Sequence, residues 1–223
     1  NKDQTYFLCQ LNQKQLNSSL FPIGELTKPE VRQIAEELDL PVAHKKDSTG
    51  ICFIGERDFR EFLKNYIPAK SGKMVDIVSK KVIGEHQGIM YYTIGQRKGL
   101  GIGGNGEPWF VVGKDYDKNI LYIAQGDSNK WLLSHGALIT DVNWVSETKP
   151  EGEYDCTAKF RYRQKDNDVS LHFIDDTTLY VTFKKPIKAV TPGQAAVFYD
   201  GDVCLGGGTI DKVYKDGKEI DYL

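Results

Sequence analysis

Six short apolar runs separated by turn signals fill the last third of the chain and constrain its fold most. The runs span 138–144, 154–164, 169–174, 178–184, 195–199 and 203–210. Turns are expected at Pro150-Glu151-Gly152, Asp175-Asp176, Pro192-Gly193 and Asp200-Gly201. The last is a two-residue hairpin signal, because glycine accepts the positive φ that such a turn needs. Short strands at regular spacing predict a small closed or nearly closed barrel, which leaves few exposed edges.

Upstream of the barrel the periodicity changes twice. Met74-Val75-Asp76-Ile77-Val78, Ile89–Ile94, Trp109–Val112 and Ile120–Ala124 read as short strands, the last two joined by a hairpin turn over Asp115–Asn119. Before Pro68 the pattern is helical. Thr27 and Glu30 have capping-box spacing with Pro29 in the first turn, and Val31, Ile34, Ala35 and Leu38 share one face. Phe59, Phe62, Leu63 and Tyr66 repeat that spacing. Residues 5–11 read as a buried strand. The fold class expected is mostly β with a few helices (α+β): the remnant of an α/β domain, a small β-rich central domain and a C-terminal six-stranded β-barrel. The boundaries expected are 1–61, 62–123 and 124–223.

With 223 residues and 40% hydrophobic content, the chain can bury a real core. No apolar run is long enough to span a membrane. Asn1-Lys2-Asp3-Gln4 is not a signal peptide, lacks an initiator Met and leads straight into an apolar run, as a chain entered partway through a domain would. The net charge of −2 gives no global basic signal, so any nucleic-acid site must be local. Cys9, Cys52, Cys156 and Cys204 are far apart, with no C-x-x-C pair and no histidine at zinc-ligand spacing; a structural metal site is not expected. Reduced thiols are expected, with Cys9, Cys156 and Cys204 in strand-like core runs. His44, His86, His135 and His172 are scattered and read as surface or satisfied structural residues.

Two stretches carry candidate chemistry. Lys45-Lys46-Asp47-Ser48-Thr49-Gly50-Ile51-Cys52-Phe53-Ile54-Gly55 places a thiol on a loop between two helices, downstream of two lysines. Nearby cations and a helix N-terminus lower a cysteine pKa from about 8.5 toward neutrality. The competing reading is a small buried hydrophobe between Ile51 and Phe53. In the strand expected over 154–164, alternation puts Lys159, Arg161, Arg163 and Lys165 on one face, about 6.6 Å apart. That spacing suits backbone phosphates, and equally an ordinary solvated face. The glycine-rich run Gly95–Gly106 superficially matches a dinucleotide fingerprint, but Pro108 and an aromatic strand follow where a helix is required. It reads instead as a flexible loop carrying Arg97 and Lys98.

Seven blocks, in order along the whole chain, resemble the bacterial tRNA-specific 2-thiouridylases. They are Lys2-Asp3-Gln4-Thr5-Tyr6-Phe7-Leu8, Asp47–Gly55, Glu85-His86-Gln87-Gly88, Gly95–Gly104, Arg161-Tyr162-Arg163-Gln164, Thr191-Pro192-Gly193-Gln194 and Cys204-Leu205-Gly206-Gly207-Gly208. The resemblance implies ATP-dependent adenylation of the wobble uridine at its C2 oxygen, followed by attack of a cysteine persulfide. It assigns the persulfide to Cys52, with a partner cysteine that releases the sulfur by forming a disulfide. It assigns tRNA contacts to Lys2, Asp3, Gln4, Arg161, Tyr162 and Gln194.

The family's S-G-G-x-D-S phosphate loop, first catalytic cysteine and acidic general acid/base residue have no match in this sequence. The expectation is therefore a C-terminal portion that is inactive alone. ATP with Mg2+ would serve the full-length enzyme, with no cofactor bound to this fragment. The implied partners are tRNAs for Lys, Glu and Gln and a persulfide donor, either a cysteine desulfurase or a sulfur-relay protein; the implied location is the cytoplasm. Two other classes remain open: a non-catalytic RNA-binding barrel module with a structural cysteine, and a thiol-redox or persulfide carrier without RNA.

Overall fold

A computed structural model describes residues 4–45, 62, 65–146 and 148–222. The chain forms two units, Lys14–Pro68 and Gln4–Gln13 with Ala69–Leu223. The described residues are mostly β with two helices, a closed six-stranded barrel and a separate four-stranded sheet.

The barrel uses β5 (Leu133–Trp144), β6 (Tyr154–Lys159), β7 (Asn167–Phe173), β8 (Leu179–Lys188), β9 (Ala195–Asp200) and β10 (Val203–Lys215). They pair antiparallel in the order β10-β5-β8-β7-β6-β9, and β9 closes onto β10. A short strand, β11 (Lys218–Glu219), adds to β10. Alternation explains the core. Ala137 and Ile139, Val169 and Leu171, Leu179 and Val181, and Ala196 and Phe198 point inward around Phe160. The β9–β10 connection is a two-residue hairpin at Gly201-Asp202, one residue later than expected, with Gly201 at positive φ.

Strand β9 is apolar on both faces because its outer face is covered too. Val197 and Tyr199 pack against Tyr6 and Cys9 of the Gln4–Gln13 segment. That segment is a 3-10 turn over Thr5–Leu8, where a strand was expected. It meets no strand edge; Tyr6 and Cys9, three residues apart, turn to the same face of the tight helix and are buried. Side chains strap it down. Tyr6 Oη donates to Ala195 O (2.9 Å), Gln10 Nε2 to Gly207 O (3.0 Å), and Asn143 Nδ2 to the carbonyls of Cys9 (2.9 Å) and Leu11 (3.1 Å). Gly207 is required at this crossing. A Cβ there would lie 2.5 Å from Ala196 O and 3.2 Å from Cys9 Sγ.

The four-stranded sheet contains β1 (Gly72–Asp76), β2 (Val82–His86), β3 (Trp109–Asp115) and β4 (Ile120–Gln125), in the order β2-β1-β4-β3. Strands β1 and β4 are parallel; the other pairs are antiparallel. Strand β2 was not anticipated. Residues 89–94 are not the expected strand but a 3-10 turn, Ile89–Tyr91, leading into a loop. Gly88 reverses the backbone at φ 145°, and Ile89, Tyr92 and Ile94 all turn into the core beside Met74, Val111 and Leu121. His86 is fully buried. Its Nδ1 accepts from Gly88 N (3.2 Å), which leaves Nε2–H to donate to Asn119 O (3.1 Å) and fixes a neutral tautomer. Burial lowers its pKa below the usual imidazole value.

In the other unit, α1 (Gln13–Asn17, its first residue shared with the neighbouring segment) precedes α2 (Lys28–Glu37). The expected cap is present: Thr27 N donates to Glu30 Oε2 (2.6 Å). None of the residues of α2 is buried, and Leu20 and Leu38 are 91% and 64% exposed. Arg32 donates to the carbonyls of Ala43 (3.1 Å) and Lys45 (3.2 Å), pinning the segment that follows α2. The second helix, expected over Phe59–Tyr66, falls largely outside the described residues.

Candidate nucleic-acid interface

The basic ladder expected along 159–165 does not form. Strand β6 ends at Lys159, and the chain then turns, with Arg163 at φ 67°. A turn abolishes the alternation that would have aligned the four cations. Lys159 is only 15% exposed; it lies 3.6 Å from Asp166 and over the Tyr199 ring at 4.6 Å. Arg163 and Lys165 are exposed.

Arg161 goes to a different place. Its Nη2 donates to Ile94 O (2.6 Å), on the loop beside the four-stranded sheet, and to Thr191 Oγ1 (3.0 Å) on the barrel. Thr191 Oγ1 donates onward to Ala189 O (3.0 Å). The guanidinium is half-buried, with no carboxylate in ion-pair range among the described residues, and desolvation lowers its pKa. A desolvated cation held by neutral acceptors retains unsatisfied charge. Tyr162 packs the other way, its ring 4.6 Å from Phe7 and 6.1 Å from Tyr6. Its hydroxyl is buried without a partner among the described residues. The Arg161-Tyr162 pair thus ties the four-stranded sheet and the Gln4–Gln13 strap to the same corner of the barrel.

Gln4, at the start of the strap, is exposed. Gln194 is exposed after the Pro192-Gly193 turn; its backbone is fixed by Gln194 N to Thr191 O (3.3 Å) and by donation from Ile210 N (2.8 Å). It lines a cleft of about 280 Å3 together with Thr191 and Pro192 of the barrel and with Tyr92, Thr93, Lys114 and Tyr116 beside the four-stranded sheet. The structure therefore brings Arg161 and Gln194 to one junction. Lys114 and Tyr116 were missed by sequence reading. The available signal was their i, i+2 spacing across the end of β3 at Asp115 and the turn that follows. Lys2, Asp3 and Cys52 lie outside the described residues.

Two other depressions are less suited to phosphate. One of about 470 Å3 on the barrel wall is lined by Asp155, Asp168 and Asp200 with Lys184, and its acids repel an anion. The other, about 440 Å3, is formed by the Gly99–Gly104 loop with the exposed Arg97 and with Glu107. This loop runs into β3, not into a helix, so it offers no dinucleotide cradle.

The described cysteines are poor nucleophiles where a shift is resolved. Burial pushes the Cys9 thiol up, and burial together with Asp200 and Asp155 pushes Cys156 up to about 12. Cys9 is buried at the end of the 3-10 turn and not in a strand; Cys156 and Cys204 lie half-buried in β6 and β10.

Three family models match successive parts of the chain. A tRNA methyl transferase HUP domain matches residues 1–56, a tRNA methyl transferase PRC-barrel domain 60–125, and an aminomethyltransferase beta-barrel domain 134–210. The chain is 59% identical over all 223 residues to the tRNA-specific 2-thiouridylases MnmA of Bacillus cytotoxicus, Bacillus cereus and Bacillus mycoides. All of this chain is covered in each case, and it spans about 60% of the length of those relatives.

Proposed function

The chain belongs to the tRNA-specific 2-thiouridylase family, and from that premise we propose that it carries the sulfur-bearing cysteine and the tRNA-holding surface of such an enzyme. The observation that carries this is 59% identity over every residue of the chain, which includes the Asp47–Gly55 block around Cys52. On this reading Cys52 takes up sulfur as a persulfide. The terminal sulfur attacks C2 of the wobble uridine, whose C2 oxygen leaves with the adenylate. A second thiol then attacks the Cys52 sulfur, forming a disulfide and leaving 2-thiouridine in the tRNA.

Two features support a role for Cys52. Cys9 and Cys156 are disfavoured as thiolates by their burial. Arg32 anchors Ala43 and Lys45, just upstream of the Asp47–Gly55 block in sequence, to a capped helix. ATP with Mg2+ would supply the adenylate. The described residues do not fit a triphosphate, because their glycine-rich loop leads into a strand, and no ATP step is assigned to them. The sulfur would come from a cysteine desulfurase or a relay protein, the acceptors would be tRNAs for Lys, Glu and Gln, and the setting would be the cytoplasm.

tRNA contact falls to Lys2, Asp3, Gln4, Arg161, Tyr162 and Gln194. Arg161 has the physical motive: a half-buried charge with no carboxylate partner among the described residues gains when a phosphate approaches. The decisive test replaces Cys52 with serine in the protein as the cell makes it and measures 2-thiouridine by nucleoside mass spectrometry. Loss of 2-thiouridine with tRNA affinity retained is expected. Normal thiolation would make Cys52 structural and leave an RNA-binding module.

A further inference from the structure

We propose that the cleft between β3 and the Thr191–Gln194 turn is a binding site for one unstacked RNA nucleotide, with Tyr116 as its stacking platform, Lys114 as its phosphate contact and Gln194 as its base reader. This rests on the RNA-binding part of the function proposed above and adds two residues and a geometry to it.

The cleft has the right size and lining. About 280 Å3 is at the small end of ligand sites, which run from roughly 300 Å3 upward, and admits one base rather than two. Tyr92 and Ile94 line it and are buried in the core of the four-stranded sheet, so its inner side is held rigidly. No carboxylate lines it among the described residues, in contrast to the aspartate-rich depression on the barrel wall. The neighbouring acid, Asp115, points to Lys118 instead, at 2.9 Å.

The groups at its mouth are those a single nucleotide uses. Tyr116 is 63% exposed, so its ring is open to a stacking partner. Lys114 Nζ sits 5.7 Å from the centre of that ring and 3.5 Å from its hydroxyl, beside no carboxylate in ion-pair range among the described residues. A base stacked on Tyr116 would bring its own phosphate to the same ammonium. The Gln194 amide offers a donor and an acceptor together, the pattern that reads a base edge. Stacking on aromatic rings with a cation on the backbone is how single-stranded RNA is generally held.

The two walls belong to different layers, and Arg161 fastens them. Its acceptors, Ile94 and Thr191, are one lining residue from each wall. Arg161 is therefore a positioning residue for this cleft: its bonds set the distance between Gln194 on the barrel and Tyr116 on the sheet.

The test is filter binding of unmodified tRNA to the chain over a range of salt concentrations, with photo-crosslinking in parallel. Tyr116→Ala should weaken binding about tenfold, the usual loss of one base–aromatic stack. Lys114→Ala should reduce the slope of log affinity against log salt by about one. Ultraviolet crosslinking followed by trypsin should leave a nucleotide adduct on the peptide Asp115–Lys118. Both side chains lie at the surface of the β3–β4 hairpin, so the variants test contact rather than folding. Wild-type binding with Tyr116→Ala and Lys114→Ala unchanged, or adducts only elsewhere, would overturn this site and leave the broader function standing. Absence of tRNA binding by the wild-type chain would overturn both.

Discussion

The barrel and the Lys14–Pro68 unit solve opposite problems. Six barrel strands pair on both sides, and Phe160, Phe198, Ile139, Leu171 and Ile210 are excluded from water entirely. Strand closure satisfies every backbone edge within the element that makes it. Helix α2 is as well specified locally, with its cap, its proline and its apolar face, yet it buries none of its residues. Local signals define a helix; only a partner surface stabilises it. The proposed division of labour follows the same line. Gln4, Arg161, Tyr162 and Gln194, most of the proposed RNA contacts, fall to the unit that holds the barrel core, and sulfur chemistry falls to the unit whose described residues bury only Ala43.

Paired substitutions test that contrast most strongly. Phe160→Ala removes a ring whose centre lies 4.8 Å from that of Phe183, tilted against it in the barrel core, and should cost about 3–5 kcal/mol in chemical denaturation. Leu38→Ala, on the exposed apolar face, should change stability by no more than about 0.5 kcal/mol. Equal costs would mean that α2 is packed as firmly as the barrel.

A smaller effect separates the two layers of the large unit. His86 is buried neutral, with a folded-state pKa below its unfolded value near 6.5. The unfolded chain therefore binds the extra proton first as pH falls. Stability contributed by this site is complete above about pH 6.5 and declines below it, by at most about 1.4 kcal/mol per pH unit, until the folded pKa is reached. Denaturation of the wild type and of His86→Gln between pH 7 and pH 5 checks this. The variant should lose that part of the pH dependence, and an unchanged profile would remove His86 as its source.

How far the sequence could be read tracks how local each feature is. The barrel was legible because alternation and turn residues recur in every strand. The strap was misread because one 3-10 turn of Thr5-Tyr6-Phe7-Leu8 has the composition of a strand; only the outer face of β9, nearly 200 residues away, says otherwise. The 154–164 strand was drawn too long because the turn at Arg163 contains neither glycine nor proline. Arg161 was therefore singled out for a ladder that does not exist, and its bonds to Ile94 and Thr191 are long-range facts that no spacing encodes. Gln194 entered only through resemblance, and Lys114 and Tyr116 not at all, since their i, i+2 spacing says nothing of the barrel turn across the cleft.

The central claim is that RNA recognition rests mainly on the Gln4–Gln13 and Ala69–Leu223 unit and does not depend on the Cys52 thiol. Measuring the affinity of the chain for tRNA against salt concentration, with and without Cys52→Ser, tests it most directly. The account predicts salt-dependent binding whose strength and slope are the same in both proteins. Binding that disappears with the cysteine, or a wild-type chain that does not bind tRNA at any salt concentration, would contradict it.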